Sequence, residues 1–367
     1  MRARRRRQPP YLVVSCAIGL AAWPLVVAGC ARPGASSRPS RPQRPESADS
    51  APGGPAPAAP SSAPKGTIGV SLLALDNPFF KVIGDTISAE ATAKGWQAVV
   101  VSGDKDVAKQ GNQVKDFIVR KVSAIVLSPC DSKAIGPVIA EANAAGIPVF
   151  TVDIPYRGKG AKVVTQVATD NFGGGKEAAA AMIEALAPGG GKVAILHFKQ
   201  AESCLLRVAG FRQGVETHNA ALPAGGEPIE IVAELEAGGA RDGGSKATED
   251  VLQAHGDLRG IFAINDPSAL GAVAALEKGG RAGKVVVVGF DGQPEGKQAI
   301  RDGTVYADPI QFPATMGEKI VDAILRHSRG EDLPPETLIP TRLYRKADAD
   351  ADPELRGAPP REPAPAG

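Results

Sequence analysis

Histidine is scarce in this chain of 367 residues, where only His197, His218, His255 and His327 occur. None falls in an HExxH pattern or beside a carboxylate at metal-ligand spacing, which argues against a metalloenzyme centre. Cysteine is as scarce: Cys16, Cys30, Cys130 and Cys204 form no CxxC pair and no Cys/His cluster, so no cysteine-based metal site is expected. The nucleophile-elbow pattern GxSxG and the phosphate loop GxxxxGK[ST] are both missing. Ser102-Gly103-Asp104-Lys105 fits SxxK but lacks the SDN and KTG partners of that chemistry. Gly173-Gly174-Gly175-Lys176 opens a helix without the required Ser or Thr, and Gly189-Gly190-Gly191-Lys192 reads as a turn before a strand. A dominant charge is also lacking: 42 Lys and Arg face 40 Asp and Glu, for a net of +2. A nucleic-acid binder needs a strongly basic domain, and this balance supplies none.

What is present begins with a leader. Arg2, Arg4, Arg5, Arg6 and Arg7 precede an apolar stretch from Tyr11 to Ala28, ending in Val27-Ala28-Gly29-Cys30. A basic start, an apolar middle and small residues at the end make an export signal over residues 1–29. Without those five arginines, 37 bases face 40 acids, a net of −3. An uncleaved short membrane helix is the alternative, and Pro24 weakens it. Val27-Ala28-Gly29-Cys30 resembles the bacterial lipobox, which implies cleavage before Cys30 and a lipid on its sulfur. The body would then lie outside the cytoplasm, in the periplasm or at the cell surface, anchored to the membrane. There a disulfide between Cys130 and Cys204 is chemically permitted, and two buried thiols are the other reading.

Residues 31–65 hold nine Pro, three Gly, eight Ala and seven Ser and no aliphatic or aromatic anchor, so they read with Cys30 as a disordered tether. Residues 347–367 read as a disordered tail, leaving a folded body over about 66–346. The 43% hydrophobic content of the whole chain supports a sizeable core. Apolar runs begin at Thr67, Trp96, Ala124, Ile147, Val163, Lys192, Ile229, Gly260 and Lys284, most separated by helix-length amphipathic stretches. A recurrence of about 25–30 residues is the rhythm of βαβ units. The class is α/β with parallel sheets. So many strands divide more readily into two Rossmann-like lobes than into one large sheet, with the cut near Ala168–Asn171. Asn77-Pro78 and Asp266-Pro267 read as helix starts, each with a capping side chain before a proline.

Ligands of open α/β sheets bind beyond the carboxyl ends of the strands. The residues expected there are Asn77, Phe79, Phe80, Asp153, Arg207, Asn265, Asp291 and Gln311. Planar amides, carboxylates and a guanidinium each hold two hydrogen bonds in fixed geometry, which suits a ligand dense in hydroxyls. Aromatic faces suit the C–H side of a sugar ring. No credible acid–base pair accompanies them, so a binding protein is expected rather than an enzyme, and no cofactor.

Asn77-Pro78-Phe79-Phe80, Ser128-Pro129-Cys130-Asp131-Ser132, Asp153, Ala168-Thr169-Asp170-Asn171, Arg207-Val208-Ala209-Gly210-Phe211, Asn265-Asp266, Gly289-Phe290-Asp291-Gly292 and Gln311 follow one another in an informative order. Through them the body, from about Thr67 to Tyr344, resembles the type I periplasmic sugar-binding proteins, nearest the ribose-binding group of ABC importers. The resemblance implies two lobes joined by three hinge strands crossing near Thr169, Gln311 and Thr341. It places 66–169 with 312–340 in an N-terminal lobe and 170–311 with 341–346 in a C-terminal lobe. It further implies a monosaccharide, pentose or hexose, captured between the lobes and delivered by a monomer to an ABC permease. A sugar-sensing lipoprotein feeding a sensor kinase or chemoreceptor shares the same body. Asn77, Asp153, Arg207, Asn265, Asp291 and Gln311 would bond sugar hydroxyls, and Phe79 and Phe80 would contact the ring. Core packing is the other reading of Phe80. Two departures stand out: Ile154 replaces an arginine after Asp153, and Gly239 falls where the family has a closing aromatic. Phe198 is the expected substitute ring, with Arg241 or Glu202 replacing lost polar contacts. Asp153-Ile154-Pro155 and Asn265-Asp266-Pro267 also resemble fructose-binding relatives.

Overall fold

The computed structural model describes residues 64–355. The expected export signal, Cys16, the expected lipid site Cys30, the expected tether up to residue 63 and the tail from 356 lie outside the described residues.

The first lobe starts with β1 (Thr67–Leu72), α1 (Pro78–Ala93), β2 (Gln97–Ser102), α2 (Val107–Val119), β3 (Ala124–Leu127), α3 (Gly136–Ala144), β4 (Val149–Val152) and β5 (Gln166–Thr169). The chain then builds a second lobe with α4 (Asn171–Leu186), β6 (Gly191–His197), α5 (Glu202–Ala220), β7 (Ile229–Glu236) and α6 (Arg241–Ala254). That lobe continues through β8 (Gly260–Ala263), α7 (Asp266–Lys278), β9 (Val286–Val288), α8 (Pro294–Arg301) and β10 (Ala307–Ile310). α9 (Pro313–Ser328) returns to the first lobe, where a Cβ on Gly317 would come within 2.7 Å of Thr86, so glycine permits the close packing on α1. β11 (Glu336–Ile339) joins the first sheet and β12 (Arg342–Arg345) the second.

The strand orders are β11-β5-β4-β3-β1-β2 and β12-β10-β9-β8-β6-β7. Strand pairs in the first sheet are all parallel. Helices cover both faces of such a sheet, which is why Ala124-Ile125-Val126-Leu127 is buried along its whole length. In the second sheet β12 runs antiparallel to β10, so the expectation of purely parallel sheets is corrected at that edge. A strand arriving directly from the other lobe needs no crossover helix and is free to run either way. The chain passes between the sheets after β5, after β10 and between β11 and β12.

Two local expectations change. Residues 346–355 do not leave the fold: Lys346–Ala351 forms α10, a 3-10 turn follows at Pro353–Leu355, and Ala349 and Leu355 enter the core of the second lobe. Lys297 fixes this segment, with Nζ 3.1 Å from Asp352 Oδ2 and 2.7 Å from Glu354 Oε2. Asn265 rather than Asp266 caps α7, its Oδ1 accepting from Ser268 N at 3.1 Å, which moves Asp266 inside the helix. At α1 the cap is Asn77, accepting from Phe79 N at 3.0 Å ahead of Pro78.

Candidate functional site

The carboxyl ends of both sheets face a cavity of about 490 Å³ between the lobes. Strand ends in the first lobe supply Asn77, Phe79, Phe80 and Asp153 to its wall; the second lobe supplies Phe198, Arg207, Asn265 and Asp291, and the crossing after β10 supplies Gln311. All nine residues singled out in the sequence therefore meet on one surface.

Arg207 organises the floor. Reaching it from α5, its Nε donates to Asn171 Oδ1 at 2.8 Å and its Nη1 to Ile264 O at 2.7 Å and Asp291 Oδ1 at 3.0 Å. Its guanidinium lies 3.9 Å from the centre of the Phe290 ring, which adds a cation–π contact. Gln311 Nε2 donates to the same Asp291 oxygen at 2.6 Å, while its Oε1 accepts from Thr169 Oγ1 at 2.6 Å. Burial raises the Asp291 carboxyl from its usual range, and Arg207 opposes that shift. The backbone of Asp291 sits at φ 107°, a left-handed value that aims its side chain into the floor.

Asp153 is built differently. It follows β4 at φ 63°, is 3% exposed, and its Oδ1 has no hydrogen-bond partner. Burial pushes its carboxyl up to about 7, against the attraction of Arg207 and with the repulsion of Asp291. Ile154, which stands where the resemblance places arginine, is buried in the core of the first lobe and offers no charge.

The aromatic wall holds Phe79 and Phe80, edge to face with ring centres 5.2 Å apart. Both belong to the buried core and also border the cavity, so the two readings of Phe80 coincide. Phe198 follows β6 from the second lobe, and a Cβ on Gly239 would fall 3.6 Å from its ring. The missing side chain at Gly239 thus leaves Phe198 as the aromatic on that side. Gly239 O accepts from Asn265 Nδ2 at 3.1 Å, so both ends of the Asn265 amide are engaged by the protein.

Several wall residues escaped the sequence reading. Gln293 Nε2 donates to Asn77 Oδ1 across the cleft at 2.9 Å, and its backbone N–H donates to Asp266 Oδ2 at 2.6 Å. Burial raises Asp266 well above its usual range, and its neighbour Asp308 adds to the effect; Asp308 itself is pushed up by burial to about 6. Asp266 Oδ1 and both Asp308 carboxyl oxygens are buried without a hydrogen-bond partner. Lys105 Nζ crosses the cleft mouth to Gly238 O at 3.0 Å. The signal for Gln293 was its place, just after a strand and before Pro294, the same setting as Asn77.

Other expectations fall out as follows. Arg241 borders the cavity and pairs with Glu295. Glu202 is not on the wall; its backbone N–H donates to Ser132 Oγ at 3.1 Å, and its carboxylate lies 3.9 Å from Arg157 Nε. His197, at the end of β6, accepts from Phe198 N through Nδ1 at 2.8 Å and faces Glu234. Cys130 and Cys204 are free buried thiols, each pushed by burial up to about 12. Among the described residues no cluster of three or more His, Cys, Asp or Glu could hold a metal ion, and no helix is long and apolar enough to cross a membrane.

Comparison with known proteins gives the same picture. Residues 68–332 match the family model of the periplasmic binding protein domain. The ribose import binding protein of Salmonella typhimurium is 32% identical over 282 residues, spanning 77% of this chain and 91% of that protein. An ABC transporter solute binding protein from Mycobacterium smegmatis, solved with bound glycerol, is 33% identical with a TM-score of 0.71, covering 78% of this chain and 96% of its own. A periplasmic solute binding protein from Actinobacillus succinogenes, solved with D-allose, is 27% identical with a TM-score of 0.71, covering 78% and 100%.

Proposed function

Since the chain belongs to the periplasmic binding protein family, whose members are extracytoplasmic solute-binding proteins rather than enzymes, we propose that it captures a monosaccharide between its lobes and hands it to an ABC-type permease. The observation that carries this reading is the convergence of Asp153, Arg207, Asp291 and Gln311 with Phe79 and Phe80 on the wall of one cavity. Paired donors and acceptors on one side and ring faces on the other match the two kinds of surface on a sugar. The relatives named for ribose and D-allose make a pentose or hexose the size to expect.

Closure of the lobes over the sugar is the step that the permease would read. Asn77 to Gln293 and Lys105 to Gly238 are inter-lobe bonds that favour the closed arrangement. Cys30 would carry the lipid that keeps the monomeric receptor at the membrane, with residues 31–65 as its leash.

The test is calorimetry of the purified protein against pentoses, aldohexoses, ketohexoses and polyols, with thermal unfolding alongside. A micromolar ligand at millimolar concentration should add about 4 kcal/mol of apparent stability. A folded sample that responds to no sugar overturns the reading. Loss of membrane association on Cys30→Ala tests the anchor separately.

A further inference from the structure

The charges on the cavity wall do not balance. Asp76, Asp153, Asp266, Asp291 and Glu295 face only Lys105, Arg207 and Arg241. Most of these are already paired. Arg207 serves Asp291, Arg241 serves Glu295, Lys105 bonds a carbonyl oxygen, and Asp266 accepts from Gln293 N through one oxygen. Asp76 is exposed to water; Asp153 and Asp266 each keep a buried oxygen without a donor, but Asp266 accepts from Gln293 N through its other oxygen, whereas among the described residues no hydrogen bond or ion pair reaches the side chain of Asp153. Its carboxylate is 97% withdrawn from water, borders the cavity, and has an oxygen with no protein donor. The neighbouring position that would bring a cation carries Ile154, and the charged groups acting on Asp153 are Arg207, already spent on Asp291, and Asp291 itself, which repels it.

A buried carboxylate without a counter-ion is costly, and something must offset it. Hydroxyl donors from a neutral sugar do so in part. An ammonium group does so fully, because it brings three N–H donors and the missing charge to one place. We propose that the preferred ligand is an amino sugar, whose protonated nitrogen is held by the Asp153 carboxylate while its ring lies against Phe79 and Phe80. This rests on the sugar-receptor reading above and narrows its ligand class. The up-shifted titration of Asp153 agrees with it, since a site poised to lose its charge gains most from a cationic partner.

The test is calorimetry of the full chain at pH 7.5 with D-glucosamine, D-galactosamine and D-mannosamine, each beside the parent hexose and the N-acetyl derivative, and with ribose. At least one amino sugar should bind about tenfold or more tightly than its parent, and N-acetylation, which removes the charge, should abolish the gain. Asp153→Asn should weaken binding generally and bring the amino sugar and its parent to within about threefold of each other. Ile154→Arg should reverse the preference, and thermal unfolding shows whether either variant remains folded. A parent hexose or ribose that binds as tightly as every amino sugar overturns the proposal and leaves the sugar-receptor reading standing. Binding of none of these sugars by folded protein also overturns the proposal, and the sugar-receptor reading falls with it only if the wider set of pentoses, ketohexoses and polyols fails too.

Discussion

Gln293 Nε2, at the start of α8 in the second lobe, donates to Asn77 Oδ1, the cap of α1 in the first, over 2.9 Å. The acceptor already receives Phe79 N, so one oxygen serves both the helix start and the closed cleft. Removing the donor should leave α1 capped and loosen only the contact between lobes. A hydrogen bond of this kind contributes about 1 kcal/mol, so Gln293→Ala should speed sugar dissociation about fivefold. Association should change little, and stopped-flow or surface-resonance kinetics read both rates.

Arg207 carries the opposite expectation. Its guanidinium satisfies Asn171, Ile264 and Asp291 at once and is 4% exposed. Arg207→Ala should cost about 3–5 kcal/mol of stability, because it strands a buried carboxylate. Asp291→Asn, which keeps an acceptor for Arg207 and removes the charge, should cost less. Urea unfolding of the two variants checks the order.

Asp153 sets a pH dependence. An unfolded aspartate titrates near 4, whereas the folded carboxyl titrates at about 7. Between those values the native state keeps a proton that the unfolded state has lost. Stability should therefore fall as pH rises from about 4 to about 7 and level off above. Asp153→Asn removes this contribution, so ligand-free D153N should exceed wild type in urea midpoint at pH 8 and match it near pH 4. An unchanged difference across that range would contradict the assignment.

Phe198 borders the cavity opposite the Phe79–Phe80 pair, with Gly239 leaving space beside it. Phe198→Ala should weaken sugar binding about tenfold or more by removing a ring face. Gly239→Ala places a Cβ 3.2 Å from Asn265 Nδ2 on a backbone at φ 60°, and should disturb binding through that amide. Calorimetry on both variants separates the two effects.

The main βαβ rhythm was legible because buried parallel strands are apolar on both faces, as at β3 and β4. β10 was not legible. Ala307-Asp308-Pro309-Ile310 contains a carboxylate and a proline, both turn signals in isolation. It is a strand because β12 pairs with it from Ala307 to Ile310 and because Pro309 still offers its carbonyl, which accepts from Asp291 N at 3.2 Å. Asn77, Asp153, Phe198, Asn265, Asp291 and Gln311 stood out because they lie just beyond strand ends, where side chains leave the sheet, whereas Phe79, Phe80 and Arg207 reach the cavity from α1 and α5. Asp266 was misassigned for a related reason: Asn265 and Asp266 are both good caps, and only the backbone decides which one stands outside the helix. The segment from 347 to 355 looked like tail because its anchors are two small contacts, Ala349 and Leu355, among charged residues.

Gln311 lies on one of the three crossings, bonded to Thr169 on another and to Asp291 on the floor. On the proposed function, recognition and movement are vested in one side chain, and neither can be retuned there without disturbing the other. Ile154 and Gly239 border or adjoin the cavity away from the crossings. New ligand preferences in descendants of this chain should arise at those two positions first, while the amide at 311 stays fixed.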